Sequence, residues 1–216
     1  MLKLENISYK VDNRVIINDL NLKIEKGDTI AIIGPSGSGK STLLRLISNL
    51  ISPTKGELYL NGKAYNQINP ERLRMDISYL LQESDLFDRT IGENLAFPSI
   101  ARGDKFNRKK AKSLLKAVGL GHYHFNTRVE RLSGGERQRI TIARQLMYTP
   151  KMLLLDEATS ALDTENSENI ERIIFKLAEE GISVLWITHS NNQSMRHFKK
   201  RIRLVDGKIE KEEHLR

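Results

Sequence analysis

The stretch "TIAIIGPSGSGKSTLLRLISNL" (29–50) constrains the fold more than any other part of the chain. "TIAII" is an unbroken apolar run of strand length, the pattern of a strand covered on both faces. "STLLRLISNL" sets Leu43, Leu46, Ile47 and Leu50 on one helical face. Between them, Gly34, Pro35, Ser36, Gly37, Ser38, Gly39, Lys40 and Ser41 fit G-x-x-x-x-G-K-[ST] in full, with Thr42 following in the first turn of the helix. Glycines there let backbone N–H groups curl round phosphate oxygens that a β-carbon would crowd. Lys40 can then reach the β- and γ-phosphates, and the Ser41 hydroxyl can ligate Mg²⁺. The alternative is a strand-to-helix turn that binds nothing, and the flanking strand and helix weigh against it.

The rest of the chain supplies a sheet around this unit. Residues 2–9 and 18–25 alternate apolar and polar, which predicts two half-buried strands joined at a turn near "DNR". "ELYLNG" and "DISYLLQ" (76–82) read as further strands, and "KMLLL" (151–155) and "SVLWITH" (183–189) as buried ones. Helices are predicted from 134 and near 165–180, and "RIRLVDGKIE" reads as a hairpin turning at Asp206-Gly207. From about 84 to 132 the texture turns helical, with Ala111, Leu114, Leu115 and Val118 at helical spacing. Alternating strands and helices point to an α/β sheet covered by helices.

Two acids close the strand "MLLLDE" (152–157). An acid at a strand's carboxyl end lies at the ligand edge of an open α/β sheet. Asp156 is placed to hold Mg²⁺, and Glu157 to orient the water that attacks the γ-phosphate. "RLSGGERQR" (131–139) raises a different question. Ser133 and Glu136 make a capping box for the helix that follows, yet the box does not explain Gly134 and Gly135, each costing about 1 kcal/mol against alanine inside a helix. Close approach of a phosphate to the backbone would explain them, and both readings stand together.

"LSGGE" resembles the signature of ATP-binding-cassette (ABC) ATPases, and the family's other motifs follow in order over almost the whole chain. The resemblance implies an α/β fold with a P-loop NTPase (RecA-like) core, a small antiparallel β subdomain and an inserted α-helical subdomain. The chain is then a single ABC ATPase domain, with 1–83 and 134–216 as core and 84–133 as the helical insertion. It also implies that Gln82 senses Mg²⁺ and the attacking water, that His189 contacts the γ-phosphate, and that Asp163 of "SALD" lies at the crossing between subunits. Two copies would pair head to tail, Ser133, Gly134 and Gly135 of one closing on ATP held by the other. One departure stands out: the family's adenine-stacking aromatic has Val11 in its place, and Tyr9, two residues earlier on the same strand face, either substitutes or simply packs.

Composition narrows the setting. Apolar residues at 39% and charged residues at 29% suit a soluble globular domain, and no apolar run reaches membrane length. The chain has no Cys, hence neither disulfides nor thiolate metal sites. The balance of 35 basic to 27 acidic residues leaves +8, which suits phosphates, nucleic acid or an anionic leaflet, or is merely a solvated basic face. His122 and His124 lack a third ligand and read as a surface turn, and "RHFKKRIR" (196–203) as a solvated approach to the last strand.

Of the ABC classes, a DNA-organising ATPase would need a coiled-coil insertion for which this chain has no room, so no nucleic acid partner is expected. The expectation is a transporter motor, cytoplasmic and peripheral on the inner face of the cell membrane, docked through 83–97 on a separate integral membrane permease. Leu86, Phe87, Ile91, Leu95 and Phe97 would receive the permease's coupling helix, the alternative being ordinary core packing. "SNLISPT" (48–54), "TIGENLAFP" (90–98) and "SVLWITH" are most similar to the ATPase of Fet-type iron exporters, implying metal efflux; a lipoprotein-release or cell-division ATPase is the alternative.

Overall fold

The alternating N-terminal residues pair as a long antiparallel hairpin, β1 (Leu2–Val11) with β2 (Arg14–Ile24), turning at Asp12 and Asn13. Leu2, Leu4 and Ile7 are all buried, although strict alternation would put Ile7 opposite Leu4. The register shifts between them, where Asn6 adopts a positive φ of 51° and bends the strand through a bulge. β3 (Thr29–Ile33) is the predicted buried strand, and the glycine loop leads from it into α1 (Lys40–Ile47). Asn49, at φ 56°, ends that helix, with Leu50 N–H donating to the Arg45 carbonyl at 2.9 Å. Leu50 therefore lies past the helix end, 53% exposed, and not on the apolar face its spacing predicts.

β4 (Lys55–Leu60) and β5 (Lys63–Ala64) flank Asn61-Gly62, whose positive φ values of 52° and 80° make a two-residue hairpin turn. "ELYLNG" thus stops being strand two residues early. There follow α2 (Pro70–Asp76), β6 (Ile77–Leu80), α3 (Ile91–Arg102), α4 (Arg108–Ala117), α5 (Gly134–Gln145), β7 (Met152–Asp156), α6 (Thr164–Glu179), β8 (Ser183–Ile187), α7 (Asn191–Arg196), β9 (Lys200–Val205) and β10 (Lys208–His214). The computed structural model describes residues 1–81, 86–87 and 89–215.

These elements form two units, Met1–Tyr79, Pro150–Glu157 and Leu177–Arg216 in the first, and Leu80–Thr149 and Ala158–Lys176 in the second. The strands build an antiparallel sheet in the order β2-β1-β4-β5 and a six-stranded sheet in the order β10-β9-β3-β8-β7-β6. In the larger sheet β9, β3, β8 and β7 run parallel, and β7 and β8 are buried throughout. This is the α/β architecture that the alternation of elements predicts, and it agrees with the P-loop NTPase fold that the family resemblance implies. In the first unit Leu43, Leu44, Leu46 and Ile47 of α1 share one apolar cluster with residues of both sheets.

The second unit is helical. Thr90 and Glu93 cap α3 reciprocally, and Gly103, at φ 70°, ends it. Asn107 caps α4, which buries Ala111 and Leu115. Among the described residues no helix is long and apolar enough to cross a membrane.

Candidate functional site

The first unit gathers the loop, the paired acids and His189. Gly39, at φ 99°, begins α1 with no side chain capping the helix's free N–H groups, which leaves them for an anion. A β-carbon on Gly37 would meet nothing among the described residues, so the loop is open there. The buried Ser38 hydroxyl has no partner among the described residues. Lys40 folds back over the loop, its Nζ donating to the Gly34 and Pro35 carbonyls at 2.9 Å each. Burial lowers its pKa, while the Glu157 and Asp156 carboxylates push it back up. Free donors, an open cradle and a poised ammonium together fit a polyphosphate.

Asp156 ends β7 and is 4% exposed. Its Oδ2 accepts the Tyr79 hydroxyl at 2.8 Å, and its Oδ1 is buried without a partner among the described residues. Burial first, then the neighbouring carboxylate, raises the Tyr79 phenol well above its ordinary value, so it stays a donor. Asp156 and Ile187 are paired on the parallel strands β7 and β8, so the residues just beyond them emerge at one sheet edge. There Glu157 Oε1 lies 2.8 Å from His189 Nε2. Glu157 also holds a positive φ of 50°, its N–H bonded to the Ile187 carbonyl at 3.1 Å. A left-handed glutamate is strained by about 1–3 kcal/mol, and such strain collects where a side chain must be aimed.

The second unit carries the other motif. Ser133 caps α5, its hydroxyl accepting from Glu136 N–H at 3.3 Å while Glu136 Oε2 accepts from Ser133 N–H at 2.8 Å. The Tyr123 hydroxyl donates to the other Glu136 oxygen at 2.8 Å. The Ser133 N–H, chief among these donors, holds the Glu136 carboxyl below its ordinary pKa. Asp163 stands just before α6 and accepts from the Asn166 N–H and amide at 2.9 and 2.7 Å. Gln82 lies outside the described residues.

Tyr9 is half-buried against the core, whereas Val11 is 47% exposed at the hairpin end. Of the apolar residues in 83–97, Leu86, Ile91 and Leu95 are buried, while Phe87 and Phe97 are more than 40% exposed with ring centroids 4.6 Å apart.

The family described as ABC transporter matches residues 17–160. The chain belongs to that family. It is 39% identical to the probable iron export ATP-binding protein FetA of Escherichia coli K12, over 89% of this chain and 86% of the relative. Two solved structures extend the likeness. The ATP-binding cassette MJ0796, dimeric and bound to ADP and phosphate, matches at 36% identity and a TM-score of 0.90, covering 100% of this chain and 99% of that one. A bacterial Atm1-family ABC exporter with ATP bound matches at 29% and 0.91, covering 99% of this chain and 39% of that one. As an ABC transporter ATP-binding domain, the chain is an ATPase.

Sequence reasoning passed over Tyr79. The pairing follows from the strand order, which places β6 beside β7. A tyrosine on the strand bordering an acid-ended strand is the signal that could have found it.

Proposed function

We propose that this ABC ATPase works as an ATP-dependent head-to-tail homodimer that drives a separate integral membrane permease, and that the cargo is a metal, iron. The observation that carries the hydrolytic part is the Glu157–His189 contact at the same sheet edge as the unpartnered Asp156 oxygen. Lys40 and the loop N–H groups bind the triphosphate of ATP. Glu157 orients and deprotonates the attacking water, and His189 holds that carboxylate and faces the γ-phosphate. Ser41, Asp156 and Gln82 would hold Mg²⁺, an all-oxygen donor set of the hard kind this ion takes. When bound, Mg²⁺ offsets charge on the β- and γ-phosphates.

The dimer rests on Ser133, Gly134 and Gly135, with Asp163 beside the crossing. A β-carbon at Gly134 would meet nothing, so no packing within the described chain calls for glycine there. Nucleotide selectivity would come from Tyr9 or from the surface near Val11. The permease would seat on the 83–97 region, where Phe87 and Phe97 are exposed, keeping the ATPase peripheral on the cytoplasmic face. Residues 1–83 and 134–216 would be the nucleotide-binding core with its β subdomain, and 84–133 the helical insertion. Iron export rests on the likeness to FetA; among the described residues no cluster of three His, Asp or Glu could hold a metal.

The test is Glu157→Gln. Turnover should fall roughly 10²-fold or more, and the variant should run as a dimer on size exclusion only with ATP. Wild-type turnover would overturn the base assignment, and a monomer with ATP would overturn the dimer. Cells carrying only this variant should accumulate iron; unchanged iron would overturn the export reading and leave the ATPase intact.

A further inference from the structure

The chain's basic excess is confined to one place. Between Lys105 and Val129 lie seven cations, Lys105, Arg108, Lys109, Lys110, Lys112, Lys116 and Arg128, and no acid. Everything outside that stretch is nearly balanced, with 28 basic residues (35 − 7) against 27 acidic ones. Within it, α4 is amphipathic: Ala111 and Leu115 are buried, while Arg108, Lys109, Lys112 and Lys116 are exposed. None of these four is in an ion pair among the described residues.

The helix does not present them on a flat surface. Arg108, Lys109, Lys112, Tyr123, His124 and Phe125 line a groove of about 450 Å³. A second hollow of about 320 Å³ shares Lys109 and Lys112 and extends the positive surface to Lys116. Concentrating unpaired cations in one groove costs self-repulsion that an anionic partner relieves. The two large rings there, Tyr123 and Phe125, are already engaged. The Arg108 guanidinium lies 4.9 Å from the centre of Phe125, Phe106 meets Phe125 edge-on, and the Tyr123 ring lies 4.3 Å from that of His122, centre to centre. Bases of a single strand would need free ring faces to stack on, whereas a headgroup phosphate needs only the cations.

We infer that the groove along α4 and the 121–125 turn binds the phosphate headgroups of an anionic lipid surface, giving the ATPase a membrane contact of its own, independent of any permease. Clusters of this size on an amphipathic helix bind anionic leaflets, each cation strengthening binding several-fold and all of it weakened by salt.

The experiment floats the purified full chain with vesicles of phosphatidylcholine alone or with 30% phosphatidylglycerol. The chain should rise only with the anionic vesicles at low salt. The triple variant Lys109→Ala, Lys112→Ala, Lys116→Ala should lose roughly a hundredfold in apparent affinity while keeping ATPase activity. Removing equal charge elsewhere, with Lys55→Ala, Lys63→Ala, Lys208→Ala, should leave flotation unchanged. Three results would overturn the inference: equal flotation with neutral vesicles, equal loss in both triple variants, or retention on single-stranded nucleic acid without flotation.

Discussion

The chain enters two helices through glycine, and it does so for opposite reasons. In the loop before α1, Gly34, Gly37 and Gly39 all have positive φ, at 148°, 77° and 99°. A β-carbon on Gly34 would come within 2.0 Å of the Leu204 carbonyl oxygen, and one on Gly39 within 2.8 Å of the Ile16 carbonyl oxygen. Those two glycines answer to the chain's own packing. Gly134 and Gly135 are helical, neither has positive φ, and Gly134 has open space where its side chain would be. A β-carbon on Gly135 would lie a tight 3.3 Å from a Leu162 methyl, so packing bears on Gly135 and not on Gly134. Glycine imposed by the fold and glycine kept for something beyond it look alike in a sequence; only the contacts separate them.

The contrast can be broken most forcefully at Gly34. Gly34→Ala combines a backbone clash with a strained φ and should lose about 2–6 kcal/mol in urea unfolding. A loss under about 1 kcal/mol would mean the loop yields easily. Gly134→Ala should move stability the other way, gaining up to about 1 kcal/mol from the helix preference of alanine. Its ATP turnover should nevertheless fall roughly tenfold or more, if those N–H groups close on a partner's nucleotide. A stable variant with full turnover would reduce the signature to a helix cap.

The smallest effect concerns acid. Glu136 is held below its ordinary pKa by the Ser133 N–H, so its contribution is full above the unfolded carboxylate pKa and disappears as pH falls through the lower folded value. Urea midpoints of wild type and Glu136→Gln should therefore converge on acidification from pH 6. A gap independent of pH would mean the cap does not use the charge.

Local pattern carried much of this molecule. β3 is the run 29–33 as read, and α5 begins at Gly134. Asp206 and Gly207 turn the last hairpin with φ of 46° and 73°, because each of these features is encoded by neighbouring residues. What stayed illegible was non-local or conformational. The β1 bulge keeps Ile7 on the buried face through a backbone angle at Asn6 that no periodicity announces. α3 runs through Pro98, which argues against a helix until its capping box and Gly103 stop are seen to outweigh it. Three of the five apolar residues assigned to docking are buried, since spacing cannot tell a helix's inner face from its outer one. At the site, the acids were readable beside the glycine loop, and His189 only through the family resemblance. The Tyr79 hydroxyl on Asp156 and the left-handed turn at Glu157 needed strand order and the sheet edge.

The β9–β10 hairpin has a consequence for how the loop takes shape. Gly207 N–H donates to the Ser38 carbonyl at 3.1 Å, and Gly34 lies hard against Leu204. The loop and its brace lie far apart in the chain, on opposite sides of everything that forms the helical unit. Until β9 docks beside β3 and carries the β9–β10 turn with it, the loop would lack that support, so readiness for nucleotide would arrive with completion of the sheet and not with formation of α1.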